Sequence, residues 1–123
     1  MTQTEFASRR AEDIDPKLLE FLRSKVNSFV KWDLVRFFHD NPHAADTAEN
    51  IARYMGRDLA SVADELSGLV QSGVLIQAKV SDRIIFKLVS DPSMRDLINA
   101  FVRACDDRAF RVKAINHVIH SMR

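Results

Sequence analysis

The sequence is poor in the residues that build disulfides, phosphate-binding loops and membrane spans. Cys105 is its only cysteine, so no internal disulfide can form and we expect a reducing compartment, the cytoplasm. Its three glycines are widely spaced and leave no glycine-rich phosphate loop. No apolar run approaches the roughly 18 residues of a membrane helix, and the first ten residues lack such a run. We therefore expect neither a membrane span nor a secretory signal.

An excess of either charge is also missing. The 18 basic and 17 acidic residues give a formal net charge of +1, so composition alone does not indicate a polyanion partner, and any basic patch must come from local arrangement. The motifs G-x-S-x-G and H-E-x-x-H are absent, and no spacing assembles Ser, His and Asp into a triad. We expect no enzymatic activity and no cofactor.

What is present is a strong helical periodicity in a chain of 123 residues, enough for one domain with a modest core. Asp15-Pro16 reads as an N-cap followed by proline at the first helical position. Apolar residues then recur at steps of three and four up to Phe38. One helix over 16–40 fits this pattern, and so do two helices divided at Asn27-Ser28.

The middle of the chain changes its period from helix to strand. Asp46-Thr47-Ala48-Glu49 is a capping-box candidate that opens a short helix, and Asp58 is an N-cap for a second helix over 59–72. After Gly73, residues 74–80 and 83–89 are rich in Val, Ile and Phe and are separated by Ser81-Asp82. This pattern predicts a β-hairpin.

The order of these elements, with the segments T-A-E-N-I-A-R-Y-M-G and S-V-A-D-E-L-S-G-L-V-Q-S-G-V-L, resembles the winged-helix transcriptional regulators of the ArsR and MarR type. The likeness is best over residues 30–90. It implies a mainly α fold with a small β-hairpin, in which a winged helix-turn-helix domain over 15–91 precedes a long C-terminal dimerisation helix over 92–123. Residues 1–14 are polar, and we expect a flexible arm or a short extra helix there.

The resemblance implies that the helix over 59–72 enters the major groove of duplex DNA and that the hairpin, the wing, touches phosphates. Lys79 shares a face of the first strand with Gln77, and Arg83 shares a face of the second with Lys87. The predicted DNA contacts are Arg53, Arg57, Ser61, Lys79, Arg83 and Lys87. Asp64 and Glu65 would repel phosphates, so a protein-docking module with little or no DNA affinity is the alternative.

The last segment begins at Asp91-Pro92, an N-cap and proline like Asp15-Pro16. It contains no glycine and no internal proline, which predicts one long helix over 92–122 of roughly 45 Å. Its apolar residues step by four and three like a coiled-coil seam, and a seam of this length favours a second copy as partner. The predicted homodimer interface is Ile98, Phe101, Cys105, Val112, Ile115 and Ile119. The alternative is that the helix folds back on its own domain against residues 18–30.

A ligand site is the least defined feature. The zinc-sensing branch of the resembled family carries D-x-H-x10-H-x2-H, which falls here on Ala104, Asp106, His117 and His120. Because Ala104 cannot bind a metal, we predict no metal site; Asp106, His117 and His120 are the alternative ligand set. Phenylalanines between the first and last helices could line a pocket for a small-molecule effector, but no residue indicates which ligand.

Overall fold

The computed structural model describes residues 15–122. Within that range the chain forms six helices and three short strands. The helices are α1 (Pro16–Lys25), α2 (Phe29–Asp40), α3 (Ala48–Met55), α4 (Leu59–Gln71), α5 (Pro92–Ala104) and α6 (Arg108–Ser121), and the strands are β1 (Ala45–Asp46), β2 (Leu75–Val80) and β3 (Arg83–Leu88). The predicted mainly α class with a small β-hairpin is confirmed. The arm predicted for residues 1–14 lies outside the described residues.

The first helical stretch forms two helices, α1 and α2, and not one helix over 16–40. The predicted division at Asn27-Ser28 is confirmed. The Asp15 carboxylate accepts a hydrogen bond from the Lys17 N–H at 2.9 Å and caps α1. Ser28 caps α2, because its Oγ accepts from the Lys31 N–H at 3.1 Å. Each cap satisfies a backbone donor that the first turn of a helix leaves free.

Helices α3 and α4 form a helix-turn-helix pair. The N-cap of α3 is Thr47, whose Oγ1 accepts from the Asn50 N–H at 3.2 Å. The predicted capping box therefore begins one residue too early, at Asp46. Gly56 ends α3 in the left-handed conformation at φ 66°, which glycine adopts at no steric cost. Asp58 caps α4 as predicted, accepting from a backbone N–H one turn on at 3.0 Å.

Strands β2 and β3 form the predicted hairpin, and β1 adds a third antiparallel strand in the order β1-β3-β2. Ser81 and Asp82 have φ values of 49° and 69°, and positive φ at both central residues is the mark of a type I′ turn. In β1, Ala45 pairs with Lys87 and Asp46 with Phe86. β2 is left at one edge of the sheet.

The prediction of a single helix over 92–122 is wrong, because the segment forms two helices. α5 ends at Ala104, and α6 begins at Arg108 after a three-residue break. Both helices pack on α1, and α5 also packs on α2. The Phe101 ring on α5 lies 5.5 Å from the Phe21 ring and 5.2 Å from the Trp32 ring, centroid to centroid. The C-terminal segment thus folds back on its own domain, which was the alternative.

Three of the six residues predicted for the dimer interface lie instead in the core of their own chain. Ile98, Phe101 and Cys105 are at most 2% exposed and belong to the core of their own chain. They leave no surface for a second copy in this conformation. Val112, Ile115 and Ile119 on α6 are exposed. No helix in residues 15–122 is both long enough and apolar enough to cross a bilayer.

Candidate nucleic-acid interface

An open cleft of about 830 Å³ lies between the helix-turn-helix pair and the inner face of the hairpin. We call it the wing cleft. Its lining comes from α3, α4 and the hairpin, with the residue that caps α3: Thr47, Ala48, Glu49, Asn50, Arg53, Ser67, Gln77, Asp82, Arg83, Ile84 and Phe86. Its polar character and position beside α4 make it the candidate surface for a nucleic-acid backbone.

Buried side chains fix the helix that forms one wall of the cleft. Val62, Leu66 and Leu69 are fully buried, so α4 cannot rotate about its axis without exposing them. That constraint turns Ser67 toward the cleft and leaves Asp64 exposed on the same helix.

Two of the predicted DNA contacts meet in the wing cleft. Arg53 comes from the last turn of α3, and Arg83 comes from the first position of β3. Both side chains are exposed. Glu49 and Asp82 also line the cleft, so two guanidinium groups and two carboxylates share it. The cleft is therefore polar and mixed in charge rather than strongly basic.

Arg57 lies in the turn before α4 and Ser61 lies in the first turn of α4, both outside the cleft lining. Arg57 forms an ion pair with Asp33 on α2, with its Nε 3.0 Å from the carboxylate oxygen. The Ser61 N–H is used by the cap of α4, and its side chain is exposed. An exposed ion pair contributes little to stability, so Arg57 can exchange Asp33 for another anion at small cost.

The hairpin register separates the three basic residues of the wing. Lys79 lies opposite Ile84, whereas Arg83 lies opposite Val80 and Lys87 opposite Ile76. Because side chains alternate between the two faces of a sheet, Lys79 shares the inner face with Gln77, while Arg83 and Lys87 belong to the outer face. Arg83 lies beside the turn, where it still reaches the cleft rim.

One of the two acids that argued against DNA binding has an internal partner. The Ser28 hydroxyl donates a hydrogen bond to the Glu65 carboxylate. This contact joins α4 to the first turn of α2, where a negative charge is favoured by the helix dipole. Glu65 therefore serves the fold, and Asp64 is the acid of α4 that remains free to face a phosphate.

Asp46 organises the entrance to α3. The Asn50 side-chain amide donates to its Oδ1 at 2.7 Å, the Thr47 N–H donates to the same oxygen at 2.8 Å, and the Tyr54 hydroxyl donates to Oδ2 at 3.2 Å. These donors, the Asn50 amide first, hold the pKa of Asp46 below its usual value of 3.8, and the Arg53 charge acts in the same direction. The charged form of the carboxylate thus stabilises the start of the short helix.

Sequence reasoning missed Asn50 and Gln77 as members of the site. Asn50 lies one turn before Arg53 on α3, and this spacing of three was the available signal. Gln77 was recognised as sharing a face with Lys79, but only the packing of the sheet on α3 shows that this face is the inner one.

Within residues 15–122 no group of three His, Cys, Asp or Glu side chains is arranged to hold a metal ion. One chain thus does not assemble the alternative ligand set of Asp106, His117 and His120. The two histidines line a shallow depression along α6. Cys105 is buried, and burial raises the pKa of its thiol to about 11. A reactive cysteine is not indicated by these features.

Comparisons with known proteins identify no family. No family model and no curated protein matches the chain. One solved structure that it resembles is a possible transcriptional regulator from Methanosarcina mazei Go1, with 16% identity and a TM-score of 0.40 over 87% of this chain and 82% of that chain. A likeness of this strength decides neither the fold nor the function of the present protein.

Proposed function

We propose that the protein is a winged-helix regulator that binds duplex DNA through the wing cleft and the exposed side of α4. The observation that carries the proposal is the meeting of Arg53 and Arg83 at one open cleft beside a rigidly held α4. Guanidinium groups from two different elements can contact phosphates on either side of a groove. Lys79, exposed on the inner face of β2, adds a third cation.

The mixed charge of the cleft sets the expected strength of binding. With Glu49 and Asp82 beside the two arginines, affinity comes from a few phosphate contacts and falls steeply with salt. Asp64 can accept a hydrogen bond from a cytosine amino group, which would give α4 a base preference. Lys87, on the outer face, has no part in this interface.

A fluorescence titration of a generic duplex at two salt concentrations tests the proposal. The wild type should bind at low salt, and the double variant Arg53→Ala/Arg83→Ala should lose about two units of the salt-dependence slope. Arg23→Ala/Arg103→Ala is the matched control, because it removes the same charge from exposed positions on α1 and α5. If the control weakens binding as much as the cleft variant, net charge rather than the cleft is responsible.

A homodimer completes this proposal. The exposed stripe of α6, formed by Val112, Ile115, Ile119 and Met122, is apolar surface that a second copy would cover. Residues spaced by three and four lie on one side of a helix, so the stripe is continuous. An antiparallel pairing about a two-fold axis keeps the two Arg108 side chains at opposite ends of the contact.

A protein-docking module is the second candidate. It is favoured by three exposed aliphatic side chains of the wing, Ile76, Val80 and Ile84. Aliphatic side chains form neither hydrogen bonds nor ion pairs with phosphates, whereas they can be covered by a protein partner. The same titration separates the two functions: a wild-type chain that does not bind the duplex even at low salt excludes the first and leaves the second.

A further inference from the structure

The outer face of the hairpin is unusually apolar for the solvent-exposed face of a sheet. Three cross-strand pairs lie on it: Ile76 with Lys87, Ala78 with Ile85, and Val80 with Arg83. The opposite face carries the buried residues Leu75, Phe86 and Leu88. A sheet that covers a core on one side normally has polar residues on the other. Here four of the six outer positions are apolar.

These apolar residues are accessible. Ile76 is 41% exposed and Val80 is 51% exposed, and Ala78 between them is also exposed, while Ile85 is half-buried. Together they form an aliphatic surface along β2 and the middle of β3. The helices that pack most closely on the hairpin are α3, against β3, and α4, against β2, and both lie on the cleft and core side.

The charged side chains that the structure places on this surface and at its base are Arg83, Lys87 and Arg95. Arg83 and Lys87 stand at the two ends of β3. At the base, a depression of about 250 Å³ brings Lys87 together with His43 and Arg95. Arg95 is held there, because its Nε donates to the Val89 carbonyl oxygen at 2.8 Å. Neither the six outer positions nor the lining of the depression includes Asp or Glu.

We propose that the outer face of the hairpin docks an acidic amphipathic helix of a partner protein. An apolar stripe of that helix would cover Ile76, Ala78 and Val80, and its carboxylates would flank the stripe and meet Arg83 at one end and Lys87 with Arg95 at the other. Charge complementarity argues against a second copy of the same face, because a two-fold pairing would bring these cations together. Six strand residues extend about 20 Å, which a helix of about 13 residues spans.

Arg83 borders both this surface and the wing cleft, and the other residues of the two surfaces differ, so the inference goes beyond DNA binding and does not depend on it. The two faces of one hairpin would serve two partners. A regulator built in this way could hold DNA with the inner face while a protein occupies the outer face.

The test uses the full chain and two synthetic helical peptides of about 16 residues. Both carry the same leucine stripe, and one has Glu where the other has Lys. Fluorescence anisotropy should show the acidic peptide binding at least about tenfold more tightly than the basic one. Ile76→Ser/Val80→Ser should weaken binding about tenfold or more, since both side chains are surface-exposed and the fold, checked by circular dichroism, should persist.

Charge-reversal variants locate the site. Lys87→Glu on the outer face should weaken the acidic peptide, whereas Lys79→Glu, on the inner face of the same hairpin, should leave it nearly unchanged. Ile119→Ser on α6 should also have no effect. Equal binding of the two peptides, no binding of either, equal effects of the two lysine variants, or loss of binding in Ile119→Ser overturns the proposal. Preference for anionic lipid vesicles over the acidic peptide overturns it as well.

Discussion

Phe101 joins three helices through one ring. Its ring meets Phe21 of α1, Trp32 of α2 and Phe110 of α6, the last at 6.3 Å between centroids. Tilted and edge-to-face contacts of this kind add to the free energy of burying the ring. A substitution such as Phe101→Asp would place a charge in the core and unfold the chain. It would therefore report on folding and not on dimerisation.

Cys105 lies in the same core, and its thiol should be inert. Burial raises its pKa to about 11, so almost none of it is thiolate near neutral pH, and the thiolate is the reactive form. We expect the native protein to react with iodoacetamide at least about a hundredfold more slowly than the protein in denaturant. Mass spectrometry of the modified fraction over time measures both rates, and equal rates would show that the thiol is accessible.

At the scale of elements, the break between α5 and α6 is built from polar contacts. The Arg111 guanidinium donates to the Cys105 carbonyl oxygen at 2.8 Å and satisfies an acceptor at the end of α5. The Asp107 carboxylate accepts from the Phe110 N–H at 3.2 Å and caps α6. These contacts allow one helix to end and the next to begin without glycine or proline. The absence of both residues therefore did not exclude a break in the segment.

Asp107→Ala should destabilise the fold through α6, because removing an N-cap leaves a backbone donor without its partner. Losses of this kind are typically about 1 kcal/mol. Asp106→Ala is the matched control: Asp106 is also exposed and one residue away, and it does not cap α6, so its effect should stay within about 0.5 kcal/mol. Urea unfolding of the two variants measures the difference, and equal losses would mean that charge at this turn matters and capping does not.

The sequence was sufficient to predict where a helix begins when the side chain that caps the helix directly precedes it. The Asp-Pro pairs at 15–16 and 91–92 mark the first residues of α1 and α5, and Asp58 marks α4. Strand β1 could not be predicted, because two residues have no period and its pairing partners Phe86 and Lys87 lie about forty positions away. The same limit applies to the C-terminal helices, whose apolar seam is compatible with a second copy and with α1.

At the scale of the whole molecule, the distribution of charge over the hairpin decides what each surface can bind. The spacing of residues was enough to predict that Arg83 and Lys87 share a face. It could not predict that Lys79 lies on the opposite face, because that depends on the register across the Ser81-Asp82 turn. Nor could it predict that Glu65 has a partner 37 positions away. The predicted site therefore differs from the observed one more than the predicted fold does, because the site depends on pairing between residues far apart in the sequence.

The proposed homodimer uses the exposed stripe of α6, and this can be tested without disturbing the core. Ile119 is 40% exposed, so Ile119→Asp should fold normally while placing a carboxylate inside the apolar contact, where burying a charge is costly. Sedimentation equilibrium should show a dimer for the wild type and a dissociation constant raised at least about a hundredfold for the variant. Leu59→Asp is the control, because Leu59 is 44% exposed on α4 and should leave the dimer intact. A wild type that stays monomeric at high concentration, or a dimer that tolerates Ile119→Asp, would show that this stripe does not join two copies.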